Sequence, residues 1–287
     1  METRLVGKNA KKMLLENGVE LEYCEFGEEN EEVLVMGYFY YHSILPMVEE
    51  LAKKYHVYGI VLRMDGKGTQ FAADGTIHWA NQWGEDVYLF CKTLGLESIN
   101  YFGKCHGVIP GWWMVKNHPE MLGCFASTFM VPHIKGGMPV RWMQNAGLSP
   151  EETVRNTMRR VDKAYIKANE IQKLNAGIGG QAGQSVANSP SMAIAARYSG
   201  CPEVIWDSIE ECREDLANTD IPVLLMYATE DILFMDYEES NFECAKVIKN
   251  AKTVILQGEK HLFEIDCSER FASEVSFFFD ECKKNYE

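Results

Sequence analysis

Three residues of the chain have the types, order and setting of a covalent acyl-transfer catalyst. They are Cys105, Asp231 and His261, taken in chain order as nucleophile, acid and base. Cys105 is the centre of Gly103-Lys104-Cys105-His106-Gly107. A large enzyme class carries Gly-x-Ser-x-Gly at such a position, with serine as nucleophile. The chemistry would be attack of the Cys105 thiolate on an acyl carbonyl. His261 would take the thiol proton and later activate water or another acceptor, and Asp231 would orient His261 and stabilise its cation. Glu230 and Asp236 are alternative acids in the same loop.

Such a set needs elements that bring distant residues together, and the hydropathy pattern supplies them. Val19–Phe26 alternates like an edge strand, whereas Glu32–Phe39 and Val57–Met64 are continuous apolar runs of the kind found in strands covered on both faces. Further strands are predicted at Ser98–Lys104, Leu122–Met130, Ile221–Ala228 and Ala251–Gly258. Helical spacing marks Ser43–Tyr55, a helix from Trp79 ending near Gly95, His106–His118, a helix near Pro202–Ala217, Asp236–Asn250 and Ser268–Lys284. Alternating strands and helices predict an α/β fold with a mostly parallel sheet flanked by helices. The alternation breaks between 132 and 201, where Ser149–Leu174 is helical behind a capping box made by Ser149 and Glu152. This divides the chain into a core of 1–131 and 202–287 and a helical cap insertion over 132–201. Cys105, Asp231 and His261 each follow a predicted strand, at the carboxyl edge where open α/β sheets place their sites.

Glycines two residues before and after Cys105 permit a tight strand-to-helix turn with a strained backbone at the nucleophile. The helix that follows favours a thiolate at its N-terminus. Pro110 sits where the first turn leaves its N–H groups without intrahelical partners, so it supports a helix that starts just after Cys105.

The chain resembles the α/β-hydrolase fold superfamily, as a member with a cysteine nucleophile, over roughly Val19–Met130 and Pro202–Lys283. The resemblance rests on five motifs in chain order: Val33–Ser43 as the strand and oxyanion loop, Arg63–Gly68 as the turn after the next strand, Gly103–Gly107 as the nucleophile elbow, "ATEDIL" as the acid loop and "KHLFEID" as the histidine loop. It implies that the backbone N–H groups of Tyr38 and His106 form the oxyanion hole, and it favours Asp231 among the three acids. It also implies that the cap closes a pocket, to which Phe39, His42, Met130 and Trp142 would contribute, with Met138, Met143 and Tyr165 as further cap candidates. The departures are Met36 in place of the usual histidine, Val108 in place of a second glycine, and exchanged charges at Arg63 and Asp65, which still permit a local pair.

The formal net charge of −14 argues against nucleic acid and anionic membrane surfaces as partners. No apolar run approaches the ~18 residues of a spanning helix, and the N-terminal stretch does not read as a secretory signal. Nine scattered cysteines without a C-x-x-C pair fit a reducing, cytoplasmic setting better than a disulfide framework. Cys24, Cys91, Cys124, Cys244, Cys267 and Cys282 read as buried packing thiols, His56, His78, His118 and His133 as structural, and Trp112 and Trp113 as core. No metal cluster at ligand spacing and no dinucleotide fingerprint occurs, so no cofactor is expected; "GIGGQAG" follows a helix and lacks the Walker Lys-Ser/Thr. The expectation is a hydrolase acting on a small, largely apolar ester, lactone or thioester through an acyl-cysteine. An acyltransferase or condensing enzyme handing the acyl group to an amine or alcohol is the second reading. A non-catalytic binding or redox-sensing protein on a hydrolase fold is the third. A homo-oligomer is left open.

Overall fold

A computed structural model describes residues 10–38, 41–63, 67–71, 77–129, 132, 134, 204–229, 243–259 and 267–284. The insertion assigned to 132–201 falls outside them apart from Pro132 and Ile134.

Eight strands form one sheet: β1 Ala10–Leu14, β2 Glu20–Phe26, β3 Val33–Tyr38, β4 His56–Val61, β5 Ile99–Lys104, β6 Leu122–Thr128, β7 Val223–Ala228 and β8 Ala251–Leu256. Their spatial order is β1-β2-β4-β3-β5-β6-β7-β8. β1 and β2 pair antiparallel, as do β2 and β4, and every later pairing is parallel. β2 is therefore not the edge strand its alternation suggests. β1 covers it, pairing Ala10 with Cys24 and Leu14 with Glu20. β1 carries Lys11 and Lys12 and leaves Leu14 69% exposed, so no apolar run announced it.

The sheet splits its apolar residues between two cores by the strand period of two. On β7, Val223, Leu225 and Tyr227 enter one core and Leu224, Met226 and Ala228 the other. All six are buried, which accounts for the unbroken hydropathy of that stretch. The first core holds helices α2 (Trp79–Thr93) and α3 (Val108–Asn117); the second holds α1 (Tyr41–Leu51) and the C-terminal helix α5 (Ser268–Lys284). Helix α2 stops where the sequence predicts. Gly95 takes φ +71°, and the N–H groups of Leu94, Gly95 and Leu96 return to the carbonyls of Phe90, Lys92 and Cys91. Helix α4 (Ile209–Asn218) is capped by Ser208, whose Oγ accepts from the Glu211 N–H at 3.1 Å, while Glu211 Oε2 accepts from the Asp207 N–H. An isolated parallel bridge joins Ile134 to Trp206, so the chain is at adjacent points just before 135 and just after 203.

Helices α2 and α3 meet at a glycine. A Cβ on Gly84 would lie 2.1 to 2.5 Å from three ring atoms of Trp113. That indole is anchored, donating from Nε1 to Asn81 Oδ1 at 3.0 Å. Helix propensity alone would make Gly84→Ala stabilising by about 1 kcal/mol. Overpacking against a fixed ring costs about 1–3 kcal/mol or more and reverses the sign. We expect a lower urea midpoint with an unchanged slope; a raised midpoint would show that Trp113 can move aside.

Candidate active site

The turn between β5 and α3 is one of two places near the carboxyl edge of the sheet where a described non-glycine residue takes positive φ. Lys104 is extended (φ −122°, ψ 134°), and Cys105 turns to φ +52°. A non-glycine residue in the left-handed region costs roughly 1–2 kcal/mol, and such strain gathers at functional sites. The surroundings over-determine the turn. A Cβ on Gly103 would meet the Gly107 carbonyl oxygen and the Val108 Cα, both at 2.5 Å. A Cβ on Gly107 would meet the Gly37 carbonyl oxygen at 2.2 Å. The Tyr101 hydroxyl donates to the Gly107 carbonyl at 2.7 Å, and the Thr128 hydroxyl to the Gly103 carbonyl at 2.9 Å. Both flanking glycines are thus sterically required. The helix opens with a 3-10 turn, Cys105–Gly107, and continues as α3, in which Pro110 is the third residue.

Cys105 is half-buried, and its Sγ lies 3.2 Å from His106 Nδ1. The His106 ring stands edge-on to Trp83, with centroids 6.5 Å apart and planes at 88°. Most other described cysteines are packing residues, as predicted for Cys24, Cys91, Cys124, Cys244 and Cys282. Cys24, Cys91, Cys124, Cys212, Cys244 and Cys282 are buried. Burial pushes the Cys91 and Cys244 thiols up to about 12 and raises Cys24 and Cys212 as well. Cys267 corrects the expectation: it is only half-buried, because it immediately precedes α5 rather than lying inside it.

Two strand ends flank the elbow. β3 is parallel to β5 with Gly37 opposite Gly103, so Tyr38 ends its strand beside the turn. The Tyr38 carbonyl accepts from the Leu62 N–H at 2.9 Å. Its side chain is buried and its hydroxyl is 3.5 Å from Cys24 Sγ, so any contribution to the site comes from its backbone. On the other side, β6 is followed by Phe129, the second described non-glycine residue with positive φ, at +62°. Its ring stacks on Phe271 and lies 5.7 Å from Lys104 Nζ. Met36, where histidine is usual, is buried in the second core.

Asp231, His261, Phe39, Met130 and Trp142 lie outside the described residues, as do Asp65 and the side chain of His42. Their parent strands are described. β7 and β8 are parallel neighbours with Ala228 opposite Leu256, and the Thr229 hydroxyl accepts from the Gly258 N–H at 2.8 Å. The chain therefore leaves for 231 and 261 from paired strand ends at the edge that holds Cys105, with β6 between.

Of the exchanged charges of the turn, Arg63 is described and Asp65 lies outside the described residues. Arg63 reaches Asp86 on α2 through two contacts, Nε to Oδ2 at 2.5 Å and an Nη to Oδ1 at 3.2 Å. It also donates to the carbonyls of Lys67 and Gly68. Burial raises the Asp86 carboxyl to about 6, against the pull of the guanidinium. The Arg63 carbonyl accepts from Trp83 Nε1 at 2.8 Å and Gln82 Nε2 at 3.0 Å, so this pair fixes the indole that faces His106. Asp86, Gln82 and Trp83 were not singled out from sequence. The available signal was two polar residues four apart on an otherwise apolar helix face.

The remaining histidines have structural partners. His56 Nε2 is 2.7 Å from Glu25, His78 caps α2 by accepting from the Asn81 N–H, and His118 stacks on Tyr88 at 3.6 Å. His133 lies outside the described residues. Trp112 and Trp113 are core, with Trp112 Nε1 donating to Ser127 Oγ at 3.0 Å. Among the described residues no helix is long and apolar enough to cross a membrane, and no group of three ligating side chains could hold a metal ion.

The sheet order and the strained elbow are those of the α/β-hydrolase fold. Solved structures bear this out. A serine hydrolase from the polyaromatic hydrocarbon-degrading bacterium Cycloclasticus zankles is 15% identical with a TM-score of 0.67, over 96% of this chain and 98% of its own. A thermophilic esterase from Thermogutta terrifontis is 16% identical with a TM-score of 0.66, over 96% and 99%. The enol-lactonase from Burkholderia xenovorans LB400 is 19% identical with a TM-score of 0.63, over 94% and 100%. No protein-family model and no curated protein matches the sequence.

Proposed function

We propose that the protein is a hydrolase that cleaves a small, largely apolar ester, lactone or thioester through an acyl group carried on Cys105. The observation that carries this reading is the left-handed backbone of Cys105, at φ +52°, between two glycines that contacts forbid to be anything else. A buried packing thiol needs no such strain, whereas a nucleophile does, because the turn lifts its side chain off the sheet edge.

The thiolate adds to the acyl carbonyl, and the tetrahedral oxyanion is held by the backbone N–H groups of Tyr38 and His106. Collapse forms the Cys105 thioester and expels an alkoxide or thiolate, which leaves as alcohol or thiol after taking a proton from His261. Water, deprotonated by His261, adds to the thioester, and a second collapse releases the carboxylic acid and restores the thiol. Asp231 orients His261 throughout. The cap over 132–201 encloses the substrate, with Phe39, His42, Met130 and Trp142 toward it. The esterase and lactonase among the similar structures support ester-type substrates.

The test is a panel of esters, lactones and thioesters followed by mass spectrometry of the intact protein and its peptides, on the wild type and His261→Ala. We expect turnover in the wild type and, in His261→Ala, an added acyl mass on the Cys105 peptide. No adduct, or an adduct on another residue, overturns the reading. Amide or ester products formed only with an added amine or alcohol would favour acyl transfer over hydrolysis.

A further inference from the structure

We propose that the His106 imidazole is a second catalytic imidazole, which accepts the Cys105 thiol proton at Nδ1 and holds the resting site as a thiolate–imidazolium pair. The inference rests on Cys105 being the nucleophile. It adds a division of labour: His106 prepares the sulfur for attack, and His261 activates the water.

Three observations converge on the ring. Its Nδ1 is 3.2 Å from Sγ, within hydrogen-bonding reach of a thiol. The 3-10 turn that begins at Cys105 places the two side chains side by side, and the strained φ of Cys105 sets the direction of the sulfur. The ring also stands against a wall that does not give. Trp83 is buried, stacked on Trp79 at 5.1 Å and pinned by its Nε1 bond to the Arg63 carbonyl. A fixed base on a nucleophile avoids the entropy of assembling the pair. Charged groups on the neighbouring elements have other partners. Lys104, on β5, lies over Phe129, and Arg63 pairs with Asp86 behind Trp83. From the loops after β7 and β8, Asp231 and His261 face the site in the triad reading.

The proton balance is simple. In the resting site one proton moves from Sγ to Nδ1. Attack consumes the thiolate, and the leaving group takes its proton from His106 in place of His261, so His106 is neutral in the acyl-enzyme. The pair re-forms when the product acid departs.

Alkylation of Cys105 by iodoacetamide, followed by peptide mass mapping, reads the thiolate directly and needs no substrate. An ordinary cysteine of pKa about 8.5 is about 1% thiolate near pH 6.5. A fully ionised thiolate gains about a hundredfold in population and loses about half of that exponent in nucleophilicity, a net gain of roughly tenfold. We therefore expect His106→Asn, which keeps an amide near Nδ1 but no base, to slow Cys105 alkylation by roughly tenfold near pH 6.5. Near pH 9.5, where its thiol is also ionised, it should react at least as fast as the wild type. His261→Ala should retain the fast reaction near pH 6.5. Equal rates near pH 6.5 for His106→Asn and the wild type overturn the inference, and so does loss of the fast reaction in His261→Ala. If His106→Asn does not fold, the wild-type profile decides: alkylation of Cys105 that titrates only in the ordinary thiol range also overturns it. Retained turnover in Cys105→Ala would instead sink the nucleophile reading, a separate result.

Discussion

Cys105→Ala should lower kcat/KM for the best ester or thioester by about 10⁴-fold or more while leaving the fold intact. The size follows from the covalent catalysis proposed above: without the sulfur there would be no acyl-enzyme, and only binding and oxyanion stabilisation would remain. The stability of the variant should change little. The side chain is small and half-buried, so its loss opens no closed cavity. Alanine keeps the same penalty at φ +52°, so the backbone strain is neither relieved nor increased. Steady-state kinetics with thermal unfolding of the same preparation checks both halves. Turnover within about tenfold of wild type would remove Cys105 from the mechanism. A collapse of the melting temperature would make it a packing residue after all.

The second large effect is expected at a residue with no side chain. In Gly107→Ala the new methyl would sit 2.2 Å from the Gly37 carbonyl oxygen. Neither side can yield by rotating a side chain, since both are backbone. Gly37 is paired on both flanks, to Ile60 on β4 and Gly103 on β5. The Gly107 carbonyl is held by the Tyr101 hydroxyl. An ordinary contact needs about 1 Å more separation, so the elbow must retreat from β3 by a comparable distance. That retreat carries the His106 N–H away from Tyr38 and takes the Cys105 sulfur out of line. A displacement of about 1 Å costs on the order of 10²-fold in rate, and overpacking costs about 1–3 kcal/mol or more. Gly95→Ala is the matched control. Gly95 also has positive φ, +71°, but nothing lies within 4 Å of its would-be Cβ. It should lose roughly 1–2 kcal/mol and no activity. Denaturant midpoints and kcat/KM for the pair separate backbone strain from elbow geometry. Wild-type behaviour of Gly107→Ala would mean the elbow does not depend on its contact with β3.

Where the sequence was legible, one short-range cause acted. Gly95 ends α2 because a glycine accepts the left-handed cap, and β7 reads as an unbroken apolar run because both its faces are covered. Cys105 could be singled out because the glycines around it report a local backbone shape. Where it misled, the deciding partner was remote. β1 carries two lysines and no apolar pattern, yet it covers β2, since backbone pairing asks nothing of the side chains that point to water. Arg63 is held by Asp86, 23 residues on, because α2 brings a buried carboxylate to it.

By itself, then, the sequence determined the alternation that makes an α/β sheet and the order of Cys105, Asp231 and His261 along the chain. It also determined the strained turn at Cys105, because glycine spacing acts through bonds and immediate neighbours. Only the tertiary structure decided that the elbow leans on the Gly37 carbonyl, that Trp83 is pinned by the Arg63 carbonyl, and that the His106 ring lies on the Cys105 sulfur. Those contacts join separate strands and helices. They exist only once the sheet order places β3, β5 and α2 side by side, which no local pattern encodes.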